Sequence, residues 1–365
     1  MIDKLLKNEE RAIFNLRALY KQYGYLPFKM SKFEEYELYV QNKDFLVSDR
    51  VITFNDTNGR LMALKPDVTL SIIKNTSFEA GCKQKVYYNE NVYRVSGSTH
   101  QFKEIMQTGL ECIGDIDIYD IFEAIYLGAK SLSLVCDDFV IDLSSMGVLS
   151  AVLDEISDNE AFKKEITKLI SEKNKHEAHA LCKKYGVSAK TDSILALVGM
   201  YGEMSSVLDA LSPICTGDRA KESYSKLYKL CSLLMNTEFK DKIKLDFSVV
   251  NDMNYYNGIV FKGFLKGIPE SVLSGGEYGS LLARMDRRGN GVGFAIYLDL
   301  LEGLDNEKSE YDVDVLLLYS ESTDPVSVIS RKNELTSEGK SVCAQKAIPN
   351  KLRYKEIVDL TKEGK

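Results

Sequence analysis

The chain has 365 residues, 44% of them hydrophobic and 28% charged, with a formal net charge of -7. That length suits roughly two or three globular domains with a buried core. The acidic balance argues against a general nucleic-acid binder, which works by neutralising phosphates. The seven cysteines (Cys82, Cys112, Cys136, Cys182, Cys215, Cys231 and Cys343) are scattered and include no Cys-x-x-Cys pair. This is the pattern of a reducing compartment, not of a disulfide framework or a zinc site. Met1-Ile2-Asp3-Lys4 opens a charged amphipathic helix and not a signal peptide. No apolar run approaches membrane-spanning length, so a cytoplasmic location is expected.

In chain order, Leu5, Leu6, Ile13, Leu16, Leu19 and Tyr20 recur near the helical period, which predicts a helix over 4–23 ended by Gly24. A short apolar-polar piece covers 36–39. A hairpin is predicted from Arg50–Phe54 and Arg60–Leu64, turning over 55–59. Pro66 forbids a continuing strand, and Leu70 to Lys74 opens a helix. Lys85 to Val95 reads as a strand whose hairpin partner is 104–113. A long helix follows over 118–133, then a strand over 139–143 and a helix from Leu149.

From 158 to 236 the chain is rich in Lys, Glu, Leu and Ala, with little strand signal, and reads as a helical insertion. Strands resume at Lys242. Lys244–Val250 and Ile259–Phe264 flank a polar turn with adjacent tyrosines, Tyr255 and Tyr256. This predicts a hairpin in which Asn257-Gly258 turns because both residues tolerate positive φ. Ser274-Gly275-Gly276 reads as a glycine turn leading into a helix, and 289–296 as a glycine-rich strand feeding a helix over 297–304. After the acidic linker 305–311 comes a β-α-β tail: strand 313–319, helix 326–338, strand 341–345. The order, hairpins with helices between them, is α+β and not a Rossmann alternation.

Simple chemistries have no visible carrier. His176-Glu177-Ala178-His179 lacks metalloprotease spacing and reads as a solvated helix face. Gly289-Asn290-Gly291-Val292-Gly293 lacks the spacing and context of a nucleotide loop. No Walker loop, nucleophile elbow or cysteine–histidine pair is evident, and no cofactor or metal is expected.

Four separated pieces carry a resemblance. They are Leu64-Lys65-Pro66-Asp67-Val68-Thr69; Tyr93-Arg94 followed by Gln107-Thr108-Gly109-Leu110-Glu111; the tyrosine turn at 251–256; and Gly275-Gly276-Glu277-Tyr278-Gly279. In this order they resemble the histidyl-tRNA synthetase catalytic domain. That family shows Leu-Arg-Pro-Glu-Gly-Thr, an arginine with a hairpin ending Gln-x-Gly-x-Glu, Arg-Gly-Leu-Asp-Tyr-Tyr, and Gly-Gly-Arg-Tyr-Asp. The resemblance covers roughly 1–304. It implies an α+β fold of the class II aminoacyl-tRNA synthetase-like kind: an antiparallel sheet flanked by helices, with a helical insertion and a truncated α/β C-terminal tail. The corresponding division is 1–157 with 237–308 as the synthetase-like domain, 158–236 as the insertion and 309–365 as the tail.

The resemblance also implies a histidine pocket. Thr69, Gln107 and Glu111 match the positions that grip the ammonium. Asp67 matches a glutamate facing the imidazole, shorter by a methylene. Tyr255, Tyr256 and Tyr278 match positions lining the side-chain pocket, and Arg94 is kept. The adenylation cations are not kept. Asn251 stands for the arginine of Arg-Gly-Leu-Asp-Tyr-Tyr, Leu300 for the ATP-binding arginine, Tyr297 for a glycine and Ser96 for a glutamate. Glu277, Gly279 and Ser31 are further departures. Losing one transition-state cation typically costs ~10²–10³ in rate.

A synthetase fold that keeps the amino-acid pocket and loses the ATP chemistry resembles a family of paralogues, the regulatory subunits of ATP phosphoribosyltransferase. The implied role is non-catalytic: a subunit of histidine biosynthesis that supports the short-form catalytic subunit and confers feedback inhibition by L-histidine. It would act as a dimer within a hetero-octamer, without membrane or nucleic acid. The alternatives are a divergent amino-acid-activating enzyme, supported by Arg94, and a synthetase-like RNA sensor, opposed by the net charge of -7.

Overall fold

The structure, a computed structural model, describes residues 8–42, 51–77, 79–95, 100–187, 191–250, 256–304 and 310–362. Two compact units are present, one spanning Asn8–Leu304 and the other containing 310–362.

The first unit begins with α1 (Asn8–Gln22), which buries Ala12, Leu16, Leu19 and Tyr20, and Gly24 closes it at φ 81°. The edge pair β1 (Leu26–Pro27) follows. The expected hairpin forms as β3 (Thr53–Asn55) and β4 (Leu61–Leu64). The other edge of β4 takes β2 (Phe33–Glu35), and α2 (Tyr36–Gln41) occupies the short piece after it. Helix α3 (Thr69–Asn75) starts after Pro66 as anticipated.

Strands β5 (Lys83–Val95) and β6 (Phe102–Gly114) pair antiparallel along their whole length. Helix α4 (Ile118–Ser133) has the bounds expected because Asp117 and Asp120 form a reciprocal cap at its start. Lys83 pairs with Asp120 at 2.6 Å, and Lys85 with Glu123, which pins α4 across the back of β5. Strand β7 (Phe139–Ser145) leads into α5 (Met146–Ile156), capped by Ser145.

The segment 158–236 holds α6 (Glu160–Ser171), α7 (Lys175–Lys184), α8 (Thr191–Val198), α9 (Met204–Leu211) and α10 (Asp218–Leu234). His176 and His179 lie exposed on α7. The segment also contains a strand that its composition does not reveal, β8 (Tyr201–Glu203), which pairs with β9 (Ile243–Asp246). Then come β10 (Ile259–Leu265), β11 (Leu273–Glu277), α11 (Gly279–Arg284), β12 (Asn290–Tyr297) and a 3-10 segment at Leu298–Leu304.

The main sheet has nine strands in the order β1-β5-β6-β12-β11-β10-β7-β9-β8. All pairings are antiparallel except β1 with β5 and β7 with β9. Successive side chains alternate between faces. Leu110 and Cys112, Val292, Phe294 and Ile296, Phe261, and Ile141 and Leu143 point to one face and share a core with α1, α4, α5 and α10. The other face is the floor of the candidate site.

Two expectations fail here. The strands around the tyrosine turn are not a hairpin, since β7 lies between β9 and β10. Asn257 and Gly258 do not adopt positive φ. Ser274-Gly275-Gly276 is not a turn either; it lies inside β11, where a Cβ on Gly275 would come within 2.6 Å of the Phe294 Cβ and 2.7 Å of the Phe261 ring.

In the second unit, β13 (Val313–Leu318), α12 (Pro325–Ser337) and β14 (Val342–Gln345) match the expected tail, and a further strand, β15 (Tyr354–Asp359), joins them. All three strands are parallel, in the order β14-β13-β15. No described helix is long and apolar enough to cross a membrane.

Candidate functional site

The site face of the sheet is built from positions of one parity. Tyr88 and Arg94 come from β5, Gln107, Gly109 and Glu111 from β6, and Gly291, Gly293, Ala295 and Tyr297 from β12. Gly276 comes from β11. The middle of this face is a floor of glycines, and a candidate side chain lies close over each. A Cβ on Gly109 would fall 2.6 Å from the Tyr88 hydroxyl, and one on Gly276 2.7 Å from the Tyr256 ring. On Gly291 it would fall 2.2 Å from the Tyr278 ring, and on Gly293 1.8 Å from Glu111 Oε2. The glycines are therefore required by what lies on them and, at Gly109, Gly276 and Gly293, also by a backbone carbonyl of the adjacent strand.

Glu111 is the centre of the polar cluster. Thr69 Oγ1, at the start of α3, donates to Glu111 Oε1 at 2.9 Å. The Tyr278 hydroxyl donates to Oε2 at 2.6 Å. Burial pushes the Glu111 carboxyl up to about 8, against these two hydrogen bonds and with the help of the nearby Asp67 charge. A carboxyl held by neutral hydroxyls in a desolvated site suits a cationic ligand group, which would supply the missing countercharge.

Asp67 is buried beside it, and its Oδ1 accepts from the Leu70 N–H at 2.9 Å, so one oxygen caps the first turn of α3. Burial raises its pKa, opposed by that hydrogen bond and by Arg94. Arg94 Nε donates to the Pro66 carbonyl at 2.9 Å and straps the 65–69 loop to β5. The same strap is held by Tyr93 N–H to the Lys65 carbonyl at 2.8 Å and by the buried Lys65 ammonium on Glu90 at 2.9 Å. Burial depresses the Lys65 pKa, and Glu90 opposes the shift.

Gln107 is buried on the same face of β6 as Glu111, four residues and about 13 Å along the strand. Tyr297 stands across from it on β12. Small residues at 291, 293 and 295 make floor, so Tyr297 ends the floor as a wall. Burial raises the Tyr88, Tyr256 and Tyr297 hydroxyls above their ordinary range; the Glu111 charge adds to this at Tyr88 and Tyr256, while Arg94 opposes it at Tyr297. Leu300 packs against the main core.

The structure thus gathers Asp67, Thr69, Arg94, Gln107, Glu111, Tyr256 and Tyr278 on one face of one sheet. Tyr255 and Asn251 lie outside the described residues. Sequence reasoning missed Tyr88 as a wall residue. Its signal was available: of Tyr87 and Tyr88 only one faces the site, and Tyr88 lies opposite the glycine of Gln107-Thr108-Gly109.

Known proteins share this fold. The chain is 26% identical over 283 residues to a protein of Oceanobacillus iheyensis named ATP phosphoribosyltransferase regulatory subunit, covering 76% of this chain and 69% of that one. A crystal structure from Bacillus halodurans, titled as an ATP phosphoribosyltransferase regulatory subunit/histidyl-tRNA synthetase, superposes with a TM-score of 0.80 at 21% identity over 96% of this chain and 93% of the other. A chain in the ATP phosphoribosyl transferase (HisG:HisZ) complex from Thermotoga maritima superposes with a TM-score of 0.62 at 21% identity, covering 80% of this chain and 97% of that one. The family model described as histidyl-tRNA synthetase matches residues 3–301, and the chain belongs to that family.

Proposed function

We propose that this chain is a regulatory subunit of ATP phosphoribosyltransferase, which binds L-histidine and a short-form catalytic subunit and performs no aminoacyl chemistry itself. The observation that carries the reading is the site face. The desolvated Glu111, Thr69 and Tyr278 cluster offers an anchor for an α-ammonium, while Tyr297 closes the floor where a larger ligand would extend. Leu300, packed on the core, offers no cation to a phosphate. The names of the relatives and the Thermotoga maritima complex support the assignment of partner. Residues 158–236 and 309–365 are read as the insertion and tail of this fold, and the working form as a dimer within a hetero-octamer.

Mixing tests the proposal. With a short-form catalytic subunit, the chain is expected to co-elute and raise phosphoribosyl transfer, and histidine to reverse the effect. Coupling energies of this kind run about 1–3 kcal/mol, or roughly 5–150-fold. Neither co-elution nor a change in rate would sink the assignment.

A second expectation concerns lost chemistry. Histidine-dependent ATP–pyrophosphate exchange is expected to be absent and to stay absent in Asn251→Arg, because Tyr297 and Leu300 remain. Exchange restored by that single change would show that the nucleotide side of the site is intact.

A further inference from the structure

Glu277 is not part of the pocket, yet it lies between two residues that are. Gly276 faces the site beneath the Tyr256 ring, and Tyr278 faces the site and donates to Glu111. Alternation sends Glu277 to the opposite face, where α10 packs. There its side chain is almost wholly buried and has two partners. Oε1 accepts from Lys226 Nζ of α10 at 2.7 Å, and Oε2 accepts from the Ile259 N–H at 2.8 Å.

Around these bonds the exit of the tyrosine turn is fixed. The Glu277 carbonyl accepts from Asn257 N–H at 3.3 Å, and the Gly258 carbonyl accepts from Met146 N–H at the start of α5 at 2.8 Å. A Cβ on Gly258 would fall 2.2 Å from Glu277 Oε2, so glycine is needed there to admit the carboxylate. Ser223, three residues before Lys226 on α10, comes within 3.3 Å of a Cβ built on Gly147; the Asn257 carbonyl is 3.8 Å from the same point. One face of α10 thus backs the segment that delivers Tyr256 to the pocket.

We propose that Glu277 is a positioning residue for the pocket and that Lys226 orients it, so that the insertion helix α10 and the occupancy of the pocket are coupled. The amine holds one carboxylate oxygen and leaves the other aimed at Ile259 N–H. That bond fixes where β10 begins and so where the Tyr256 ring lies on Gly276. The coupling deepens the regulatory reading and rests on the pocket being an amino-acid site. It supplies a physical route by which a partner that shifts α10 would alter histidine binding, and by reciprocity the reverse.

The test uses the full chain with Lys226→Met, Lys226→Arg and Glu277→Ala. Histidine binding is measured by calorimetry, and exchange of the Asn257 and Ile259 amides by hydrogen–deuterium exchange without ligand. K226M is expected to weaken histidine binding about fivefold to tenfold and to speed exchange at Ile259, whereas K226R restores both. The double variant E277A/K226M is expected to be no worse than E277A, because both act through one contact. K226M that matches the parent in affinity and in Ile259 exchange overturns the proposal, whatever its thermal midpoint. If E277A fails to fold, the two Lys226 variants decide. If the parent itself binds no histidine, the reading of the pocket fails; exchange at Ile259, faster in K226M and normal in K226R, then decides the positioning role alone.

Discussion

Glu111→Gln is expected to weaken histidine binding at pH 8 by roughly 10–150-fold, the worth of about 1.5–3 kcal/mol for a hydrogen bond to a charged group. The same change is expected to make the ligand-free protein more stable at that pH. The two effects have opposite signs because one carboxyl serves binding at the cost of folding. Burial pushes the Glu111 pKa up to about 8, against an ordinary 4.5. Below about pH 4.5 both folded and unfolded chains hold the proton. Between there and about 8 the folded chain keeps a proton that the unfolded chain releases. Stability from this group is therefore full at low pH and falls by about 1.4 kcal/mol per unit as pH rises through that window. Glutamine has no proton to lose, and its carbonyl and amide can still meet Tyr278 and Thr69. The parent and E111Q melting curves should therefore diverge with rising pH.

Binding runs the other way. An ammonium needs the carboxylate, so histidine must expel the Glu111 proton below pH 8. Parent affinity is expected to rise up to tenfold per unit from pH 6 to 8, and the gap between parent and variant to widen accordingly. Equal affinity of the two proteins at pH 8 would remove Glu111 from the site.

Much of this architecture is readable from local chemistry. Helix α4 has the expected limits because its cap is written in adjacent residues, Asp117 and Asp120. The β5 and β6 hairpin is legible for the same reason, since partners near in sequence carry their own alternation. Most of the failures are non-local. Placing β7 between β9 and β10 takes a pairing across more than a hundred residues, which no local pattern encodes. Strand β15 escapes notice because Lys355 and Glu356 are exposed, so its alternation is weak. The glycines of β11 read as a turn because their cause lies elsewhere in the chain, in Phe294 behind Gly275 and Tyr256 in front of Gly276. Asn257-Gly258 carries the signature of a positive-φ turn, yet its glycine makes room for Glu277. The candidate residues themselves were legible through the order of four motifs. The geometry that brings them together, small residues under large ones, was not.

That geometry makes the sharpest stability test a set of glycine-to-alanine changes with unequal signs. In Gly293→Ala the new methyl would lie 1.8 Å from Glu111 Oε2 and 2.3 Å from the Leu110 carbonyl. A side chain can rotate away, but the Leu110 carbonyl belongs to the neighbouring strand of the ladder, and moving it opens the pairing of β6 with β12. The cost is expected at the upper end of overpacking, about 3 kcal/mol or more. In a unit of this size that lowers the melting temperature by roughly 6 °C, with histidine binding lost because Glu111 is displaced. Gly128→Ala, on α4, is expected to go the other way. Its methyl would meet Leu273 at 3.5 Å and Phe261 at 3.6 Å, ordinary contact distances. Alanine is also favoured over glycine within a helix by about 0.5–1 kcal/mol. Both changes add one methyl to a buried glycine, one on each side of the main sheet, so composition alone does not separate them. A G293A protein as stable as the parent and still binding histidine would mean that the floor has slack. Glu111 would then not be held in place from below.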